Sequence, residues 1–140
     1  MLLGFILTEK NKKIYRVIDA NLNRAREGLR VIEDTARFVA NDSKAFAQLR
    51  AARHKLDKVT RNIYPELIKE RDSHGDEGRS VKEKGREGLK ALVSANFRRA
   101  QEALRVLEEY GKIVSPKAAP VFKKIRFQTY ILEREFIVKD

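Results

Sequence analysis

Two stretches decide the fold: Ala20 to Val39, ANLNRAREGLRVIEDTARFV, and Ala95 to Val114, ANFRRAQEALRVLEEYGKIV. At an offset of 75 they are identical at ten of twenty positions: Ala20, Asn21, Arg24, Ala25, Glu27, Leu29, Arg30, Val31, Glu33 and Val39, with their counterparts. Such self-similarity marks an internal repeat. Within the first copy and the residues before it, Ile14, Val17, Ile18, Ala25, Leu29, Ile32, Ala36 and Val39 recur at three- and four-residue spacing, the signature of one apolar helix face. A second amphipathic stretch follows each copy, at 44–63 and 118–137, with Phe46, Leu49, Leu56 and Ile63 in one and Ile125, Leu132 and Phe136 in the other. No segment alternates with the period of two of a half-buried strand. The expected fold is all-α, a four-helix bundle-like domain of two helical hairpins related by a pseudo-twofold.

The repeats span 14–63 and 89–138 of one domain covering 1–140, joined by a connection at 64–80. Asp42 or Ser43 can cap the second helix, and Ser115-Pro116 can end the third. Tyr64-Pro65 is expected to end the second helix, because proline lacks a donor and disfavours a helical residue before it. Beyond it no apolar period is sustained, so a long structureless loop is expected; connections of that length are more often functional or disordered than simple links.

Composition narrows the function classes. The chain has 140 residues, 31 Lys and Arg against 20 Asp and Glu, and a net charge of +11, yet 42% of it is hydrophobic. It is a folded basic protein, and its partner is expected to be anionic. The absence of cysteine excludes disulfides, Cys-zinc sites and thiol nucleophiles. Two histidines, His54 and His74, make a poor metal set; His54 reads as a surface residue, with Tyr130 at a similar place in the fourth helix. No apolar run has membrane-spanning length, and Leu2–Leu7 lacks the basic start of a signal peptide. Leu2–Leu7 reads as a short strand or docking arm, a cytoplasmic location is the default, and a homodimer joined through that arm is one open arrangement.

Two groups of residues can carry chemistry. On each long helix Asn21, Arg24 and Gly28, repeated as Asn96, Arg99 and Ala103, lie along one edge of the apolar stripe. A buried amide needs partners, a guanidinium is a bidentate fork for phosphate, and a small residue admits a ligand or a close helix. Glu27 and Glu102 can orient these arginines from behind, whereas Arg30, Glu33, Arg105 and Glu108 read as a solvated face. The second group is the loop Arg71-Asp72-Ser73-His74-Gly75-Asp76-Glu77-Gly78-Arg79. Gly75 and Gly78 let backbone N–H groups curl round an anion, Asp72 and Asp76 can hold Mg²⁺, and Arg71 can neutralise a phosphoryl group.

IDANLNRAREGLRVIED, RDSHGDEG and ANFRRAQEALRVLEEYGK together resemble a thiamin-pathway family over about residues 12–138. That family occurs as a small stand-alone protein and as the N-terminal domain of thiamin phosphate synthase fusions. Its members are often labelled thiamin phosphate pyrophosphorylase-like. In the loop, Arg71, Asp72, Gly75, Asp76 and Gly78 match the family pattern, Ser73 keeps its hydroxyl, and His74, Glu77 and Arg79 depart from it. The resemblance implies a hydroxymethylpyrimidine phosphate kinase that moves the γ-phosphoryl group of ATP onto the pyrimidine monophosphate with Mg²⁺. It implies Arg71, Asp72 and Asp76 in the catalytic loop, and Asn21, Arg24, Asn96, Arg99, Gly75 and Gly78 holding the phosphorylated pyrimidine and the nucleotide. The chain is too short for the synthase's own (β/α)₈ barrel. The alternative is a non-catalytic module of thiamin phosphate synthesis that binds the ligand or the synthase. A third reading, a basic nucleic-acid-binding helical protein, rests on charge alone; the bases alternate with acids and no stacking aromatics cluster, so no nucleic-acid partner is expected.

Overall fold

A computed structural model describes residues 2–83 and 85–138, and their side chains from 11 to 83 and 85 to 137. The described elements are α1 (Leu2–Asp34), α2 (Ser43–Thr60), α3 (Tyr64–Glu70), α4 (Leu89–Val114) and α5 (Ala119–Val138), with a π-helical turn at Thr35–Val39 and a 3₁₀ turn at Glu77–Ser80. The all-α expectation holds, and no strand occurs among the described residues. Leu2–Leu7 lies in the first turns of α1 and not in a strand. Its side chains, and with them the expected docking role, lie outside the described residues.

The two repeated helices, α1 and α4, cross at the centre of the molecule, with α2 and α3 against α1 and α5 against α4. Small residues set the crossing distance. A Cβ at Gly28 would stand 3.0 Å from the Asn96 carbonyl oxygen and 3.4 Å from the Ala100 Cβ. Ala25, Ala100 and Ala103 are buried beside it. The small-residue position therefore serves a close helix. Around it Ile18, Leu22, Leu29, Ile32, Phe97, Leu104 and Leu107 form the core with Leu49, Leu56, Phe122 and Ile125 from the outer helices. Burial of such side chains is worth roughly 1.5–3 kcal/mol each before the entropic cost of ordering them.

Three local features depart from the sequence expectation. The apolar stripe stops short of Val39, which is 58% exposed. The Ala40 N–H reaches back five residues to the Thr35 carbonyl at 3.0 Å, so the backbone widens by a residue and rotates the later positions out of register. Asn41, at φ 51°, ends the turn, and Asp42 caps α2 by accepting the Ala45 N–H at 3.0 Å. Second, Pro65 does not open a structureless loop: it occupies the first turn of α3, where a missing N–H costs nothing, and Leu67 is driven into the core. Only the segment from Arg71 onward is irregular.

The third departure is electrostatic. Glu33 and Glu108 are not on a solvated face; they are 2% and 5% exposed. Arg53 donates Nε and Nη2 to the two carboxylate oxygens of Glu33 at 3.1 and 3.2 Å. Arg126 donates Nε and Nη2 to Glu108 Oε2 at 3.2 and 2.8 Å. Each hairpin thus ties its outer helix to its inner helix with a buried charge pair, and the first adds a half-exposed one, Arg26 Nε to Asp57 Oδ1 at 2.8 Å. Glu33 and Glu108 differ by 75 residues, Arg53 and Arg126 by 73, because the second connection is two residues shorter. In this register His54 corresponds to Phe127 rather than Tyr130.

Breaking one of these pairs from one side strands a buried carboxylate, a loss of about 3–5 kcal/mol. Arg53→Met is expected to lower the unfolding free energy by that order in urea denaturation. The double variant Glu33→Met/Arg53→Met is expected to recover most of it. Equal losses in the two variants would show that the pair does not stabilise the hairpin.

Candidate functional site

The repeated Asn-Arg edges meet where α1 and α4 cross. Asn21 is buried and Asn96 half-buried, and each turns its amide onto its own helix: Asn21 Nδ2 donates to the Val17 carbonyl and Asn96 Nδ2 to the Leu92 carbonyl, both at 2.9 Å. Arg24 Nη1 stands 3.4 Å from Asn21 Oδ1, at the long limit of a hydrogen bond, and the side chain is exposed. Arg99 lies between two carboxylates without docking on either: Glu27 of α1 at 3.8 Å and Glu83 of the loop at 3.7 Å. Its Nε is buried and has no hydrogen-bond partner. Glu27 therefore reaches across to Arg99 and not to its own-helix neighbour Arg24. Glu102 is exposed and makes no ion pair among the described residues.

The loop is fastened at its start to a buried acid of α1. Arg71 donates Nε and Nη2 to Asp19 Oδ2 and Oδ1 at 2.8 and 2.7 Å, a fork-to-fork pair with a carboxylate that is 6% exposed. The Asp19 carboxylate, helped by the Tyr64 hydroxyl, raises the Arg71 pKa above its ordinary value. At the far end, Glu83 approaches Arg99 on α4. Between these anchors the aspartates hold the backbone: Asp72 Oδ1 accepts the Gly75 N–H and Asp76 Oδ1 the Gly78 N–H, each at 2.9 Å. A Cβ at Gly75 would collide with the Asp72 carboxylate, so a larger residue there would push that carboxylate out of the turn. Arg79 Nη1 lies 3.3 Å from His74 Nδ1.

Of the expected site residues, Asn21, Arg24, Asn96, Arg99 and Glu27 come together at the crossing. Arg71 is committed to Asp19, and Asp72 and Asp76 to turn hydrogen bonds. Among the described residues no three His, Asp or Glu side chains gather round one point. Asp72 and Asp76 each give Oδ1 to a backbone donor of the turn, which leaves only their Oδ2 atoms for the Mg²⁺ that the resemblance implies. Asp19 escaped notice because its counterpart in the second copy is Ser94, so the repeat does not flag it. Arg53 and Arg126 could have been found by asking what partners the retained Glu33 and Glu108.

The chain belongs to the ThiD2 family, whose sequence model matches residues 16–135. It is similar to the thiamine-phosphate synthase of Nostoc punctiforme, 44% identical over 123 residues, covering 86% of this chain and 34% of that protein. It is likewise similar to the thiamine-phosphate synthases of Rhodopirellula baltica, 40% identical over 93% of this chain and 36% of that protein, and Thermosynechococcus vestitus, 40% identical over 89% and 36%. The chain thus spans about a third of the length of the curated relatives it matches. No solved structure matches it.

These names correct the assignment as a hydroxymethylpyrimidine phosphate kinase. The relatives that resemble the chain along most of its length are named synthases, not ATP-dependent phosphotransferases. The relatives are named for thiamine-phosphate synthesis, and the kinase reading does not stand. Among the described residues no helix is long and apolar enough to cross a membrane.

The Asp19–Arg71 pair is what fixes the loop to α1. Asp19→Asn keeps the shape and removes the charge. It is expected to speed amide exchange at Arg71, Gly75 and Gly78 by roughly tenfold while core amides stay unchanged. Unchanged loop exchange would show that the turn bonds alone hold the loop.

Proposed function

We propose that this chain is a ligand-binding module of thiamin phosphate synthesis, one that presents a phosphorylated pyrimidine to the synthase and carries no phosphoryl-transfer chemistry of its own. The observation that supports it most is the match itself: nearly the whole chain aligns with only a third of proteins named for thiamine-phosphate synthesis. What is shared with them is a helical unit, not the length of the whole enzyme.

The α1/α4 crossing offers chemistry suited to such a ligand. Arg24 has no carboxylate at ion-pair distance among the described residues, and Arg99 has only distant ones. These two guanidinium groups are the forks left open for a phosphate, while Arg53, Arg71 and Arg126 are spent on buried acids. The Asn21 and Asn96 side-chain oxygens are acceptors that can take a hydrogen bond from an exocyclic amine on a pyrimidine. The loop reaches the same helices through Arg71 on Asp19 and, more distantly, Glu83 near Arg99.

Titration calorimetry of the purified chain with 4-amino-5-hydroxymethyl-2-methylpyrimidine phosphate tests this. Binding is expected with the monophosphate or the diphosphate, and not with the unphosphorylated alcohol. Arg24→Ala/Arg99→Ala is expected to weaken it by about tenfold or more, the loss of two charge-assisted contacts. A folded protein that binds neither phosphate ester would overturn the proposal. Undiminished binding by the double variant would overturn the placement of the site.

A further inference from the structure

Helix α2, with Arg61 just past its end, departs from the charge pattern of the rest of the chain. Between Ser43 and Asn62 stand Lys44, Arg50, Arg53, Lys55, Lys58 and Arg61 against one acid, Asp57. The alternation of bases with acids read along the whole chain therefore does not extend here. The acid and one of the bases are used by the fold: Asp57 is held by Arg26 of α1 at 2.8 Å, and Arg53 by buried Glu33. Lys44 shares a cleft with Glu135 of α5. That leaves Arg50, Lys55, Lys58 and Arg61, with His54 among them, all exposed and none in an ion pair among the described residues. The second hairpin does not repeat this row. In the register of the two buried charge pairs, Arg50 and Arg61 keep a base at Lys123 and Arg134, but Lys55 and Lys58 become Gln128 and Ile131, and Glu135 follows Arg134. A hairpin of this design folds without the basic row, so the row is not a requirement of the fold.

The make-up of this face selects its partner. From Arg50 to Arg61 it runs about 16 Å, and its cations spread over about 140° of the helix circumference, opposite the side buried by Leu49, Ala52 and Leu56. Among the exposed residues of α2 the apolar ones are Ala47 and Ala51 alone. A stable protein–protein interface needs an apolar core, and a helix seated in a lipid surface needs an apolar face; this one has neither. A phosphate backbone needs only cations, because its binding is driven by release of condensed counterions. A convex helix face lined with bases also suits a duplex groove, which presents a phosphate wall on each side. No Phe, Tyr or Trp stands on the exposed face of α2 to stack on an unpaired base.

We propose that the outer face of α2 from Arg50 to Arg61 is a docking surface for the phosphate backbone of duplex nucleic acid, held by charge and without readout of sequence. None of its residues belongs to the α1/α4 crossing, so it is independent of the ligand-binding reading.

Fluorescence anisotropy of a labelled mixed-sequence DNA duplex, titrated with the full chain over a series of salt concentrations, tests this. Four phosphate contacts predict a log–log salt slope of about −3 to −4, hence a loss of about a hundredfold in affinity between ~0.05 and ~0.2 M salt. Unrelated duplex sequences are expected to bind alike. Lys55→Gln/Lys58→Gln removes two contacts and is expected to make the slope shallower by about 2, with the thermal midpoint retained. Lys123→Gln/Lys124→Gln on α5 lowers the net charge by the same amount and is expected to leave the slope unchanged. Equal effects of the two double variants would show that net charge and not this face holds the duplex, and would overturn the proposal. So would a folded chain that ignores the duplex at low salt, including one that binds polyglutamate or phosphatidylserine vesicles instead.

Discussion

Everything in this molecule is arranged around the close approach of α1 and α4. Gly28 against the backbone of Asn96 and the methyl of Ala100 lets two duplicated helices cross with their main chains almost in contact. The crossing buries the apolar stripe of each helix in the other. It also brings two Asn-Arg edges, 75 residues apart in sequence, onto one surface. A larger residue at the crossing would separate the helices, open the core and pull the two arginines apart. The same contact therefore underlies both the core and the candidate site.

Charge is divided between two tasks. Arg53 and Arg126 neutralise buried glutamates and lock each outer helix to its inner one, and Arg71 neutralises buried Asp19 and holds the loop. A buried, paired guanidinium is structural, because freeing it for a ligand would leave a carboxylate uncompensated in the core. At the α1/α4 crossing, what remains for an anionic ligand is the pair whose carboxylates are distant or absent, Arg99 and Arg24. The net charge of +11 says little about function by itself. The informative quantity is which arginines the fold has not already used.

The four long helices and their pairing were legible in the sequence because an apolar period of 3.6 and a self-match at fixed offset report directly on which faces must be buried. The crossing residues Asn21, Arg24, Asn96 and Arg99 were legible for the same reason. The π turn was not, because a change of hydrogen-bond register at Thr35–Val39 leaves the residue pattern intact while rotating Val39 outward. Helix α3 was missed because proline terminates a helix or begins one, and only the burial of Leu67 decides between them. The burial of Glu33 and Glu108 was missed because periodicity treats every charge as solvated, and the compensating arginine sits on another helix. The kinase assignment came from the resemblance and not from any geometry, and the names of the relatives overturned it.

The central claim is that a phosphorylated pyrimidine binds at the α1/α4 crossing beneath the loop. Amide and side-chain chemical shifts of the isotope-labelled chain, followed during titration with the pyrimidine monophosphate, test it most directly. The account predicts saturable shifts at the side-chain amides of Asn21 and Asn96, at the guanidinium groups of Arg24 and Arg99, and in the loop from Arg71 to Glu83, with little change along α5. Shifts confined to the cleft between α2 and α5 around Gln48 and Phe136, or no shifts at all from a folded chain, would contradict it.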